Sequence, residues 1–406
     1  FILKIIKQLR SLQYAGFIIW LLIIACAFAL LQLSVLHNVI LPFGFLIVYS
    51  ATILLEPYLI ICKKYKLLTL VSILYSIGYW CIHRYVFARS FSLQELFTAL
   101  FVLSCARLLI YIIVTLRSSK APSVADASTF PDLVKVRTLW MHLALYDIIQ
   151  NYSGWIDKFI VSHTLSSSMS GIYYNGSLNV PFLPLLLNAA LSAVLIQLSI
   201  SKNSEDTNYI LILMNQVGRL LSAFVFPLFF FLLFFRHEVV VALLSARYIP
   251  AIPVFMASLL ILPVRAYSYT SILQRKHRGD IINKGAIGEI LLGCILIYPL
   301  YRWLGLPGIA LSFVISTYLQ AGYYLYRTAT ILQVSWQRLI PLNNWLMKMI
   351  VFALVFVILH FICSYYFTGV IAVILGSVFT MAIILCTLWI EIKNTKETHG
   401  APIQEA

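Results

Sequence analysis

Charge is scarce in this chain, and acidic charge most of all. Only 11% of its 406 residues are charged, and 14 Asp and Glu stand against 29 Lys and Arg. Soluble domains carry about a quarter charged residues, so a water-exposed globular domain is excluded. The seven cysteines, Cys26, Cys62, Cys81, Cys105, Cys294, Cys363 and Cys386, are scattered singly, with no C-x-x-C pair and no Cys/His spacing. That pattern argues against a disulfide framework or a metal centre and leaves them as small buried apolar residues. A glycine-rich phosphate-binding loop is missing too, which argues against an ATP-driven pump, and no motif calls for a cofactor. Long polar connections are rare. The longest is SSKAPSVADASTFPDLVKVR, residues 118–137, and the outward connections are all short, which makes a membrane glycosyltransferase or polysaccharide polymerase, with its sizeable outward catalytic loop, the less favoured alternative.

What fills the chain is apolar: 62% of its residues are hydrophobic and 14% aromatic. Apolar runs of roughly 18–25 residues, the length that crosses a ~30 Å hydrocarbon core, recur from end to end. They predict about twelve spans, at 15–36, 39–62, 67–87, 92–116, 138–163, 171–199, 209–235, 252–274, 280–303, 307–328, 343–366 and 369–390. The fold class is therefore an all-α polytopic membrane protein. A basic start places the N-terminal segment in the cytoplasm. The alternation then puts most Lys and Arg on that same side, leaving only Arg84, Arg89, Arg236, Arg247 and Arg302 opposite. The net charge of +15 is thus a topology signal and needs no nucleic-acid partner. The opening FILKIIKQLR has no cleavage site of a signal peptide, and a chain incomplete at its N-terminus fits it better.

Removing the loop charges leaves Arg107, Asp147, Asp157, Lys158, Arg219, Arg265, Lys284 and Glu289 inside predicted spans, with Glu56, Glu95 and Lys348 nearer the ends. Each ion at mid-bilayer costs ~2.5–3.5 kcal/mol, so these side chains must face protein or water. Only Lys284 has an opposite charge one turn away, Asp280, so a surface pair is expected there. For the others, counter-charges lie on other helices, in water or on a ligand. In YDIIQNYSGWIDKF (146–159), Asp147, Asn151, Gly154 and Lys158 form one stripe at 100° per residue, widened by Gln150 and Asp157. The span at 209–235 sets Asn215, Arg219 and Ser222 on one side, and Pro263 precedes Arg265 where a broken helix would border a cavity. Together they predict a hydrated, net-cationic pathway for an anionic or polar cargo; plain interhelical salt bridges are the rival explanation.

From Tyr146 onward the sequence resembles lipid-linked oligosaccharide flippases of the O-antigen and polysaccharide type, within the multidrug/oligosaccharidyl-lipid/polysaccharide exporter superfamily. The resemblance rests on WIDKFIVS and GIYYNGSLNVPF, then Pro227, ARYIPAIPVF, SILQRKHRGD and LYRWLGLPGIALSFVIS, in that order. It implies two pseudo-symmetric bundles around a central cavity, with the first two helices of the family missing here. The division it suggests is a partial N-terminal lobe of four spans at 1–117 and a cytoplasmic linker at 118–137. A six-helix lobe at 138–328, two additional spans at 329–390 and a cytoplasmic tail at 391–406 follow.

The implied function is flipping of isoprenoid pyrophosphate-linked oligosaccharides across the cytoplasmic membrane, for surface polysaccharide or O-antigen (lipopolysaccharide) export. Lys158, Arg265, Arg107 and Arg219 would be the cavity cations that bind substrate. Asp157, Asp147, Asn151 and Glu289 would be the polar lining, the carboxylates carrying any coupling proton. Lipid-linked substrate, membrane lipids and polysaccharide-assembly proteins are the implied partners. A multidrug or cation antiporter of the same superfamily is the alternative, for which a more acidic cavity is expected.

Overall fold

The computed structural model describes residues 36–61, 64–88, 93–117, 133–177, 183–200, 206–367 and 369–400. The predicted span at 15–36 lies outside them but for Leu36, as does most of the 118–137 connection. Among the described residues all regular structure is helical, and seven helices are long and apolar enough to cross a membrane. The chain divides into two compact units, Phe1–Thr129 and Phe130–Ala406.

The N-terminal unit contributes α1 (Leu36–Ile61), α2 (Tyr65–Ala88) and α3 (Leu93–Arg117). Leu59, Val71 and Tyr111 form one of its apolar contacts, and Val86, Leu96 and Leu100 another. Between them Arg107 of α3 reaches Glu56 of α1 in an ion pair. The guanidinium also lies 4.7 Å from the Tyr75 ring and 5.4 Å from the Tyr111 ring. Such cation–π contacts strengthen when water is excluded. Arg107 is therefore a neutralised cation inside this unit, its counter-charge supplied by the neighbouring helix.

In the C-terminal unit, α4 (Leu133–Thr164) leads into α5 (Ser167–Gly176), α6 (Leu183–Ile200), α7 (Thr207–Phe234) and α8 (Arg236–Leu244). The predicted span at 171–199 is thus two helices. The Ser166 side chain accepts from the Met169 backbone N–H and caps the first of them, which lets α5 start in a turn directly after α4. The span at 252–274 is broken further, into α9 (Ile252–Leu259), a 3-10 turn at Pro263–Ala266 and α10 (Ser271–Arg275). Pro263 lacks the N–H that would continue the helical ladder. Four residues on, Tyr267 is extended at φ −150° and ψ 151°, with its hydroxyl donating to the Leu339 carbonyl at 2.9 Å.

Helices α11 (Gly279–Leu304) and α12 (Leu306–Leu332) form a tight hairpin. Gly305 turns it at φ +68°, a backbone region that favours glycine. Pro307 stands in the first turn of α12, where its missing N–H costs nothing. A side chain on Gly308 would collide with the Leu300 carbonyl, so the two helices touch at backbone level. Alongside, α4 runs parallel to α11. His142 meets Asn283 at 2.8 Å, and two turns further Gln150 donates to Glu289 at 2.8 Å.

The largest core surrounds α7, where Phe226, Phe229, Phe230, Phe231 and Phe235 pack with Phe255, Phe352 and Phe356. Here α13 (Leu342–Tyr366) and α14 (Val370–Gly400) close against α7. Lys348 of α13 and Glu391 of α14, 8% and 6% exposed, pair at 2.8 Å. The Lys348 ammonium also donates to the Arg219 carbonyl at 2.8 Å and to Ser222 Oγ at 3.0 Å. Asn215 donates to the Arg338 carbonyl at 2.8 Å. The polar stripe Asn215–Arg219–Ser222 therefore meets α13 and the turn before it.

Removing one member of a buried pair costs ~3–5 kcal/mol because the other is stranded. Lys348→Met should lower thermal stability in detergent by that order, and Lys348→Met with Glu391→Met should recover most of it. Equal stability of the single variant and wild type would show that the pair does not hold α13 and α14 to α7.

Candidate functional site

A polar pocket with about 150 Å³ of free space opens within the C-terminal unit, between α4, α5, α9, the Pro263 turn, α11 and α12. Four of the eight sequence-predicted site residues line it: Asp157, Lys158, Arg265 and Glu289. They come from α4, the 3-10 turn and α11, so no single helix face carries the site. The break at Pro263 is what turns Arg265 into this space.

The two carboxylates are held differently. Asp157 is only 7% exposed. Its Oδ2 accepts from the Tyr173 hydroxyl at 2.7 Å and lies 3.8 Å from the Lys158 ammonium, while its Oδ1 has no hydrogen-bond partner among the described residues. Glu289 is surrounded by neutral donors. Thr317 donates to Oε1 at 2.6 Å, and Gln150 and Gln320 donate to Oε2, both at 2.8 Å. Charge-assisted bonds of this kind hold a buried carboxylate without a counter-ion.

The cations differ as well. Lys158 lies 3.8 Å from Asp157, donates to the Gly154 carbonyl at 3.3 Å and sits 5.8 Å from the Trp155 ring. Half-buried Arg265 makes no side-chain hydrogen bond or ion pair with any described residue. Counted formally, two carboxylates balance two cations in this pocket. Both carboxylates accept at least one hydrogen bond, whereas the Arg265 guanidinium has no side-chain partner among the described residues.

Four predicted residues lie elsewhere. Asp147 and Asn151 are exposed, and Asn151 donates back to the Asp147 carbonyl at 2.8 Å. Helix α4 turns Gln150, Ser153 and Asp157 to the pocket, so the predicted stripe of Asp147, Asn151, Gly154 and Lys158 is its flank, reaching the pocket only through Gly154 and Lys158. Arg219 is exposed beside the Lys348–Glu391 pair and lines neither this pocket nor its neighbour. Arg107 belongs to the N-terminal unit. The expected Asp280–Lys284 pair is replaced by Arg278, which grips Asp280 with two bonds of 2.9 and 3.0 Å.

Sequence reasoning missed Tyr173, Ser177 and the α12 row Thr317, Gln320 and Tyr324. That row was detectable as polar positions three and four apart in an apolar helix. Tyr173 was not, because its partner Asp157 sits on a separate helix.

Glu289→Gln keeps the shape, its amide oxygen still accepting from Gln150 and Gln320 while its NH2 donates to the Thr317 hydroxyl, whereas Glu289→Leu strands all three at ~1–3 kcal/mol each. In detergent, Glu289→Leu should unfold well below Glu289→Gln; equal stability of the two would mean that this cluster is not formed.

Comparisons with known proteins bear on what such a pocket belongs to. A family model described as polysaccharide biosynthesis protein matches residues 14–253, more than half of the chain. No curated protein matches the chain in sequence. Among solved structures, the lipid II flippase MurJ in an inward closed conformation is similar at a TM-score of 0.54 and 16% identity. That match covers 87% of this chain and 72% of the MurJ chain. At that identity the likeness is one of fold: a MurJ-like, multi-pass helical membrane protein.

Proposed function

The chain belongs to the polysaccharide biosynthesis protein family, and from that premise we propose that it flips lipid-linked oligosaccharides across the cytoplasmic membrane for polysaccharide export. The reading is of a transporter and not of an enzyme. Its cargo is an isoprenoid carrier joined through pyrophosphate to a sugar repeat unit, with O-antigen as one such product. Basic loops face the cytoplasm, and access alternates between the two sides of the membrane.

The observation that carries this reading is Arg265: a half-buried guanidinium without a side-chain partner among the described residues, on the wall of a polar pocket inside a helical membrane unit. An anionic cargo would supply the missing counter-charge, and such bonds are strong at low dielectric. Lys158 lies close enough to assist. Asp157 and Glu289 are the pocket carboxylates to which ion coupling would fall, and their acidity is what favours the antiporter as a second reading.

The test is flipping of a fluorescent lipid-linked oligosaccharide in vesicles containing the full chain. Arg265→Ala should slow flipping by at least about tenfold, the equivalent of ~1.4 kcal/mol of lost interaction, with Lys158→Ala intermediate. Wild-type rates in both variants would contradict the reading. Drug or cation exchange by the wild type without any lipid flipping would replace it with the antiporter.

A further inference from the structure

A second pocket adjoins the first, with about 130 Å³ of free space, and Arg265 and Thr317 line both. Its walls bring in Tyr146 of α4, Asn188 of α6, Tyr269, and Gln320 and Tyr324 of α12. The two compartments lie along one face of α12, from Ala310 in the first to Tyr324 in the second, a path of ~20 Å at 1.5 Å per residue.

Their chemistry differs. Both carboxylates, Asp157 and Glu289, line the first compartment, and among the described residues no carboxylate lines the second. An anion in the first would meet two negative charges at close range, and like charges repel strongly where water is scarce. In the second it would meet the Arg265 guanidinium and a set of hydroxyls.

Those hydroxyls are not equivalent. Tyr267 donates to the Leu339 carbonyl at 2.9 Å and Tyr324 to the Ile282 carbonyl at 2.7 Å, so both are committed to the fold. The hydroxyls of Tyr146 and Tyr269 have no partner among the described residues. Both tyrosines lie within electrostatic reach of Arg265, and Tyr146 also feels Glu289 and Asp147, neither of which lines the second compartment. A guanidinium with a planar fork of N–H donors and two free phenol O–H donors matches the oxygens of a phosphate.

The geometry points to Arg265, Tyr146 and Tyr269 as a phosphate-binding subsite in the carboxylate-free compartment, separate from Lys158. Its ligand class is a phosphate or diphosphate ester, and only the larger molecule that carries this group rests on the flippase reading. The division of labour follows from the two environments. Lys158 is tied to Asp157, whereas Arg265 shares both compartments and can hold an anion at their junction.

The test uses inorganic pyrophosphate and the purified full chain in detergent at near-physiological salt, with binding followed by calorimetry. Arg265→Gln should weaken binding by at least about tenfold, and Tyr146→Phe and Tyr269→Phe each by about three- to tenfold, as expected for loss of a bond to a charged group. Arg302→Gln, a change to an exposed cation that lines neither compartment, should stay within about twofold. The tyrosine variants preserve ring packing, so they decide the matter even if Arg265→Gln does not fold.

Loss of binding in Lys158→Gln together with wild-type affinity in the two phenylalanine variants would overturn the subsite. Failure of the wild type to bind pyrophosphate would overturn it too. Failed lipid flipping with this binding pattern intact would overturn the transport reading and leave the subsite standing.

Discussion

An ion in hydrocarbon costs ~2.5–3.5 kcal/mol on the most lenient scale, and the placement of charged side chains in this fold follows from avoiding that cost. Arg107 pairs with Glu56 between two tyrosine rings, and Lys348 pairs with Glu391 against the Arg219 carbonyl. Asp157 takes Tyr173 and Lys158, while Glu289 takes three neutral donors. Once these are assigned, Arg265 is a pocket-lining cation without a described partner. The functional reading turns on that exception. The paired charges explain packing, and Arg265, which has no partner among the described residues, is the pocket cation left to meet a ligand.

The same constraint explains why the pocket forms where helices are broken. An unbroken apolar span offers no unused backbone or side-chain polarity, so it packs or faces lipid. The Pro263 turn interrupts the ladder between α9 and α10 and brings Arg265 between α4 and α12. Non-helical backbone at membrane depth is tolerated where it lines a cavity. The close hairpin of α11 and α12, set by Gly305 and Gly308, then gives the polar row of α12 a fixed wall to work from.

Much of this was legible in the sequence. The apolar runs gave the long helices, and Pro263 marked the break. The short inventory of solitary charges contained every ion of the pocket. Pairings between helices were not legible, because Glu56 and Arg107 lie 51 residues apart and periodicity carries no information at that range. Nor was the rotation of α4. Neighbouring residues differ by about 100° around a helix, so the pattern alone could not decide whether Asp147 or Gln150 faced inward. Two contacts with α11, His142 to Asn283 and Gln150 to Glu289, settle it. Counting charges along a sequence likewise does not show which of them share a compartment.

The central claim is that the polar side chains of α4 and α9 border water within the C-terminal unit while the outer face of α11 does not. Single cysteines at Ser153, Ser258, Leu291 and Ile295, in a background with the seven native cysteines replaced, can be exposed in vesicles to a membrane-impermeant thiol reagent. Only a thiolate reacts, and thiolates form in water, so the Ser153→Cys and Ser258→Cys proteins should be modified at least about tenfold faster than Leu291→Cys and Ile295→Cys. Equal protection of all four would mean that no aqueous pocket exists there, and the account would fail with it.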